Sequence, residues 1–237
     1  MKGRSIIPSA SLLLALFLIP GLASTQQRYQ RWAGGVDDET LHFGFSFHYV
    51  SADLKMELAP NWQSTSGYRA IRSPFSNDVG IGLLADLKLS ENLNLRFTPS
   101  LKFLNLSIQT TGPSNDSTFS HEIHRSDIEL PLLVKFKSDR KANLRGYLIA
   151  GGQIGANVAP AKRYKPQEQL MTDRWYTSYT AGIGFDIYFD FFKMSPEIRW
   201  VQSIGNLYSR HPEHTYNASL PISRLFIRSL QFSLFFE

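Results

Sequence analysis

The sequence predicts an all-β fold: an eight-stranded antiparallel transmembrane β-barrel of the up-and-down kind. Three observations predict it. Apolar residues recur at every second position through successive segments, the period of a strand with one greasy face. The connections between these segments run long, short, long, short, long, short, long, as in membrane barrels with brief turns at one end and larger loops at the other. Aromatic residues crowd the ends of segments, where membrane strands meet the interface.

The clearest pair of strands lies between Tyr179 and Trp200. Tyr179, Ala181, Ile183, Phe185, Ile187 and Phe189 share one parity, and Ser178, Thr180, Gly182, Gly184, Asp186 and Tyr188 the other. After a tight turn at Asp190 and Phe191, Phe192, Met194, Pro196, Ile198 and Trp200 alternate with Lys193, Ser195, Glu197 and Arg199. Such strands cross hydrocarbon in about ten residues.

From the start of the chain, residues 1–24 read as a secretory signal. Lys2 and Arg4 are basic, Leu12 to Ile19 is apolar, and Gly21, Ala23 and Ser24 are small residues suited to cleavage,. Residues 25–39 form a polar periplasmic lead-in, and residues 40–237 the barrel. Its first strand alternates Leu41, Phe43, Phe45, Phe47 and Tyr49 with His42, Gly44, Ser46 and His48, and a long polar stretch follows to about Asp78. The second strand, Val79 to Leu89, places Gly80, Gly82, Asp86 and Lys88 inward. The third begins at Leu93; its apolar parity switches at Leu104, Leu106 and Ile108, as a bulge or as a strand leaving the membrane.

A polar loop is expected over Gln109 to Ser120. The fourth strand opposes Ile128, Leu130, Leu132, Val134 and Phe136 to Asp127, Glu129, Pro131, Lys135 and Lys137. The fifth, Leu144 to Asn157, is ambiguous, because Tyr147 and Ile149 have the opposite parity to Leu148 and Ala150. Loops follow at Val158 to Asp173 and from Asn206 to about Pro221. The last strand sets Ser229, Gln231 and Ser233 against Leu230, Phe232, Leu234 and Phe236, with Glu237 beyond the final Phe.

Composition agrees. The 237-residue chain suits one barrel, and with no cysteine it can build neither disulfides nor thiolate sites,. Its mean hydropathy of −0.20 is that of a soluble protein, since inward polar residues offset outward apolar ones. The net charge of +5 is scattered, without a basic helix or run, so no nucleic-acid partner is expected. A secreted barrel with an apolar interior has the same alternation. The polar face decides for the membrane. Asp86, Lys88, Arg96, Glu129, Lys135, Asp186, Glu197 and Arg199 carry both charge signs and can pair within a narrow lumen as a structural network.

Tyr49, Trp175, Tyr176, Trp200 and Tyr208 are read as interface aromatics. Arg69, Arg72, Lys162, Arg163, Lys165, Arg174 and Arg210 are loop cations that could meet phosphates of outer-membrane lipid and lipopolysaccharide, or simply keep the loops soluble. Catalytic signatures are missing: no nucleophile elbow, phosphate loop or helical zinc motif occurs,. His121, Glu122 and His124 are adjacent but lack the helical spacing of a zinc protease, and His211, Glu213 and His214 lie in a loop, where they could bind a metal adventitiously,. No enzyme, cofactor or metal is expected.

Three segments resemble the PorT family of Bacteroidetes outer-membrane barrels. They are Asp127-Ile128-Glu129-Leu130-Pro131-Leu132-Leu133, Gly146-Tyr147-Leu148-Ile149-Ala150-Gly151-Gly152, and Ser195-Pro196-Glu197-Ile198-Arg199 leading to Gly205-Asn206-Leu207. The resemblance implies a non-enzymatic component of the type IX secretion system, located in the outer membrane with both termini periplasmic. It also implies other secretion subunits as partners, and a part in gliding motility where that occurs. A small barrel that binds lipid or surfaces through its loops is the alternative.

Overall fold

The computed structural model describes residues 39–112, 118–159, 172–208 and 221–237, apart from the side chain of Thr65. Its strands are β1 (Leu41–Leu58), β2 (Ala70–Arg72), β3 (Ser76–Lys88), β4 (Leu93–Phe97), β5 (Ser100–Thr111), β6 (Thr118–Lys137), β7 (Leu144–Asn157), β8 (Trp175–Tyr188), β9 (Lys193–Ser203) and β10 (Ile222–Phe236). One short helix, α1 (Trp62–Ser66), precedes β2. The expected signal and lead-in lie outside the described residues.

Strand pairing closes a ring. β10 returns to β1, with Phe45 opposite Phe236 and Ala52 opposite Ser229, while the other side of β1 pairs with β3. β4 and β5 are one strand interrupted at Thr98 and Pro99. On β3, Ala85 faces Phe97 and Gly82 faces Ser100; on β6, Leu132 faces Phe97 and Glu129 faces Ser100, so the register runs unbroken through the interruption. With β4 and β5 counted together and β2 set aside as a short addition to β5, the ten strands make a ring of eight. All pairings are antiparallel between neighbours, and closure leaves the ring without free edges along its wall.

The two ends of the ring differ. Residues 89–92, 138–143 and 189–192 connect strands at one end by tight turns, such as the Phe189 N to Phe192 O bond of 2.9 Å. Ala142 turns in the left-handed region at φ 52°. The strand ends that flank the longer connections, Leu58 and Ser76, Asn157 and Trp175, and Ser203 and Ile222, all lie at the other end.

Towards that end the two faces of the wall exchange polarity. On β1, Phe43, Phe45 and Phe47 point out, with Ser46 and His48 buried inside; further along, Lys55 and Glu57 point out over buried Val50, Ala52 and Leu54. The same inversion occurs on β6, from outward Leu130, Leu132 and Val134 to outward Ser120 and Glu122, with Ile123 now inside. On β10 it occurs between Leu230 and Arg224, over buried Ile227 and Leu225. Hydrocarbon demands an apolar exterior and tolerates a paired polar lumen; water beyond it demands the reverse. The inward residues past the membrane form one apolar cluster of Val50, Ala52, Leu54, Leu104, Leu106, Ile108, Ile123, Tyr176, Leu207, Tyr208, Ile222, Leu225 and Ile227.

This inversion accounts for the differences from the sequence reading. The polar stretch expected after Tyr49 holds the second half of β1, the helix α1 and β2, because Val50, Ala52 and Leu54 continue the strand on its inner face. The parity switch at Leu104 is a strand leaving the membrane and not a bulge, since β5 keeps its register against β6 from Ser100↔Glu129 to Thr111↔Thr118. Within the expected loop over Gln109 to Ser120, β5 continues to Thr111 and β6 already starts at Thr118, nine residues before Asp127, while residues 113–117 lie outside the described residues. On β7, Tyr147 and Ile149 point inward and Leu148 and Ala150 outward, which settles the ambiguous parity.

Candidate functional site

The polar lumen holds the only concentration of charged side chains in the membrane-spanning part of the described chain. Its turn-side half is built around Arg96 of β4. Arg96 donates through Nε (2.9 Å) and Nη2 (2.6 Å) to Asp86 Oδ2, and through Nη1 and Nη2 to Glu197 Oε2 and Glu237 Oε1, each at 3.3 Å. Asn94 donates to the other Asp86 oxygen at 2.7 Å. Lys135 Nζ reaches both Asp186 oxygens at 2.8 Å, and Ser195 Oγ donates to Asp186 at 2.7 Å. Lys193 lies 2.6 Å from Glu237 Oε2, and Arg199 Nε 2.7 Å from Glu197 Oε1. Tyr147 donates to Glu197 Oε2 at 2.8 Å, and the Lys135 ammonium sits 4.0 Å from the centre of its ring.

A second group lies towards the loop end. Lys102 pairs with Glu129, which also accepts from the Tyr176 hydroxyl at 2.9 Å. Arg125 Nε donates to both Asp127 oxygens at 3.1 Å, its guanidinium 5.4 Å from the Tyr176 ring centre. Between strands β1 and β10 the His48 imidazole bridges Ser46 Oγ (2.9 Å) and Ser233 Oγ (2.7 Å). These charges are almost wholly withdrawn from solvent. Desolvating them is costly, and only close opposite charges with additional hydrogen bonds offset that cost. The network therefore acts as a rigid filling, and its charges are engaged with one another.

Two tyrosines reach into the lumen because glycine faces them. In the β7 and β8 ladder Tyr147 lies opposite Gly184 and Tyr176 opposite Gly155. A Cβ on either glycine would overlap the facing ring, so the glycines provide the room in which each ring lies flat against the wall and delivers its hydroxyl to a carboxylate.

The structure brings seven of the eight sequence-predicted lumen charges together: Asp86, Arg96, Glu129, Lys135, Asp186, Glu197 and Arg199 are all buried inside. Lys88 is half-buried at the turn end of β3, opposite Asn94. Lys102, Arg125, Asp127, Lys193, Tyr147 and His48 share the inward parity; alternation already set Asp127, Lys193 and His48 on polar faces and left Tyr147 ambiguous. Glu237 is the least expected member. It continues the inward parity of Ser233 and Phe235, and its main chain exchanges bonds of 2.8 and 2.9 Å with Lys193.

Of the proposed interface aromatics, Tyr49, Trp175 and Trp200 are exposed on the outer wall, Tyr49 donating to Asn77 Oδ1 at 2.6 Å and Trp200 edge-on to Tyr179 at 5.4 Å. Tyr176 and Tyr208 are corrections. Tyr176 is on the inward parity of β8 with Ser178 and Asp186, and Tyr208, bridged to Thr172, is buried in the apolar cluster. His121 and His124 do not converge. They lie on opposite faces of β6, His121 3.3 Å from Thr110 Oγ1, and His124 2.7 Å from Asn105 Oδ1 and 3.2 Å from Glu122. No cluster of three metal-ligating side chains occurs among the described residues; His211, Glu213 and His214 lie outside them.

Above the membrane band, Arg228 contacts Asp53, whose hydrogen-bonded carboxylate holds the guanidinium above its ordinary range, and Arg224 lies 3.8 Å from Glu57. Arg69, Arg72 and Arg174 are exposed on the same rim. Lys162, Arg163, Lys165 and Arg210 lie outside the described residues.

Comparisons with known proteins follow the architecture. Solved structures similar to this chain include OprG of Pseudomonas aeruginosa, with 12% identity, a TM-score of 0.48, and coverage of 83% of this chain and 93% of that one. Neisserial surface protein A shows 9% identity and a TM-score of 0.45 over 83% and 98% of the chains. The outer membrane protease OmpT of Escherichia coli shows 12% and 0.44 over 83% and 94%. Curated proteins give no match. Residues 31–209 match the family model described as outer membrane protein beta-barrel domain. The chain belongs to that family, and it is an outer-membrane β-barrel.

Proposed function

We propose that this outer-membrane barrel is a non-enzymatic accessory of the type IX protein secretion machinery, working through its rim, turns and outer wall and not through its lumen. The observation that carries the non-channel part is the filled interior. The Arg96, Lys135 and Lys102 networks occupy the membrane-spanning lumen, and the apolar cluster of Val50, Leu106, Ile108 and Leu225 lies above them. An eight-stranded ring has an interior that side chains fill. The secretion part rests on the resemblance to the PorT family. In the fold, its segments do packing work: Asp127 and Glu129 pair with lumen cations, Ser195 and Glu197 join the Arg96 and Lys135 networks, and Asn206 Oδ1 accepts from Tyr208 N at 3.0 Å and Leu225 N at 2.9 Å. Its partners are then other secretion subunits and the surrounding outer-membrane lipid. Short-turn ends and both termini face the periplasm.

The exposed cations Arg69, Arg72 and Arg174 support a second reading, a small barrel that binds anionic surface lipid through its rim,. The test compares secreted proteins of a deletion strain with those of its parent and a complemented strain, after outer-membrane fractionation of the tagged chain. Selective loss of cargo bearing the C-terminal secretion signal supports the first reading. Normal export from a strain that lacks the barrel rejects it, and loss of lipopolysaccharide binding by an Arg69, Arg72 and Arg174 triple variant supports the second.

A further inference from the structure

We propose that the barrel wall carries a buried water-binding site at the seam between Pro99 and Pro131. It is independent of the secretion reading. Leu83 N donates to Pro99 O at 2.9 Å, and Thr98 N donates to Pro131 O at 3.3 Å. In an antiparallel ladder each such pair returns a second bond, but proline has no N–H to give. The carbonyls of Leu83 and Thr98, on successive rungs of the ring, therefore both face prolines within the membrane-spanning wall. Backbone acceptors at that depth need a donor.

The lumen face of the same row supplies complementary groups. Register runs from Thr98 through Pro131 to Gln153 and on to Ser178, and Thr180 is the next inward residue on β8. All four polar side chains are at least nine-tenths buried, at 1%, 5%, 3% and 3% exposure. Thr98 Oγ1, Gln153 Nε2, Ser178 Oγ and Thr180 Oγ1 complete no hydrogen bond with any described group. The nearby charges are engaged elsewhere, Lys102 with Glu129 and Arg199 with Glu197.

The chemistry of this set selects the ligand. Two carbonyls accept only, one amide nitrogen donates only, and three hydroxyls do either. An anion would leave the carbonyls unanswered, and a cation would meet the Gln153 amide donor. Water donates and accepts, and a buried water needs two to four polar partners, which the row from Thr98 to Thr180 provides between the two charged networks.

The test is a crystal structure of the refolded full chain in detergent, at a resolution that orders internal water, with water-to-amide NOE measurements on the same preparation in micelles. We expect water within hydrogen-bonding distance of Thr98 Oγ1 and of Gln153 or Ser178, with NOE contacts at the amides of Thr98 and Gln153. The isosteric Thr98→Val variant should lose that water and unfold at a lower urea concentration than the parent. A dry row in the parent overturns the proposal. So does a Thr98→Val barrel that unfolds at a higher urea concentration, the behaviour of a dry orphan hydroxyl replaced by methyl. If Thr98→Val does not fold, the parent's water density and NOE contacts decide alone.

Discussion

Arg96 and Asp86 face each other on adjacent strands with Nη2 2.6 Å from Oδ2, and neither side chain reaches solvent. Two ionised groups buried at that distance depend on each other: the pair tolerates removal of both partners better than removal of one. Asp86→Ala is expected to cost about 3–5 kcal/mol of folding free energy, because it takes from the buried Arg96 its nearest carboxylate, leaving only the 3.3 Å contacts to Glu197 and Glu237, and removes the acceptor of Asn94,. Replacing both, as Asp86→Leu with Arg96→Met, should cost less than Asp86→Ala alone. Urea titration of the barrel in lipid vesicles checks the order.

Glu237 occupies the same network through Lys193 and Arg96. Glu237→Gln keeps the size and removes the charge, and is expected to destabilise the barrel by roughly 1–3 kcal/mol. Glu237→Asp, which retracts the carboxylate, should lie between. Heat modifiability on gels and urea unfolding give the comparison.

Tyr147 across Gly184 supplies a coupling that can be measured. Gly184→Ala places a methyl group where the Tyr147 ring lies, an overpacking expected to cost about 1–3 kcal/mol. In a Tyr147→Ala background the same change should cost less. A double-mutant cycle for unfolding reads the difference directly.

The polarity inversion along β6 fixes where a cation is tolerated. Leu132→Arg faces hydrocarbon and is expected to cost about 2–4 kcal/mol, whereas Ser120→Arg, on the exposed outer face near the loop end, should stay within about 0.5 kcal/mol. Inside, the sensitivity reverses. Leu106→Ala or Leu225→Ala, in the apolar cluster, should each cost about 2–5 kcal/mol.

The non-enzymatic reading is checked by replacing His121, His124, His211 and His214 together with alanine. Membrane assembly and the secreted proteome are expected to match the parent. A secretion defect as deep as deletion, with normal barrel assembly, would revive a chemical role for these histidines.

The alternation of Phe43, Phe45 and Phe47 with Ser46 and His48 was legible because a strand repeats every two residues and lipid rewards one face uniformly. Alternation also placed Asp86, Arg96, Glu129, Lys135, Asp186, Glu197 and Arg199 on one parity, and the same parity holds Lys102, Asp127 and Lys193. It could not say which of them meet, since Arg96 and Glu197 are 101 residues apart in sequence. Nor could it carry β1 and β6 to their full lengths, because where the surroundings change from lipid to water the greasy face moves to the inside and the pattern reads as a break. Tyr176 and Tyr208 show the same limit, since an aromatic at a strand end suits the interface in sequence and only the ring of strands decides which way it points. Sequence by itself determined the class of fold, because strand period and connection length are local properties. Only the closed tertiary structure decided the filling of the lumen, because ion pairs, the clearance of Gly155 and Gly184 for tyrosine, and the inward turn of Glu237 exist only once distant strands share one interior.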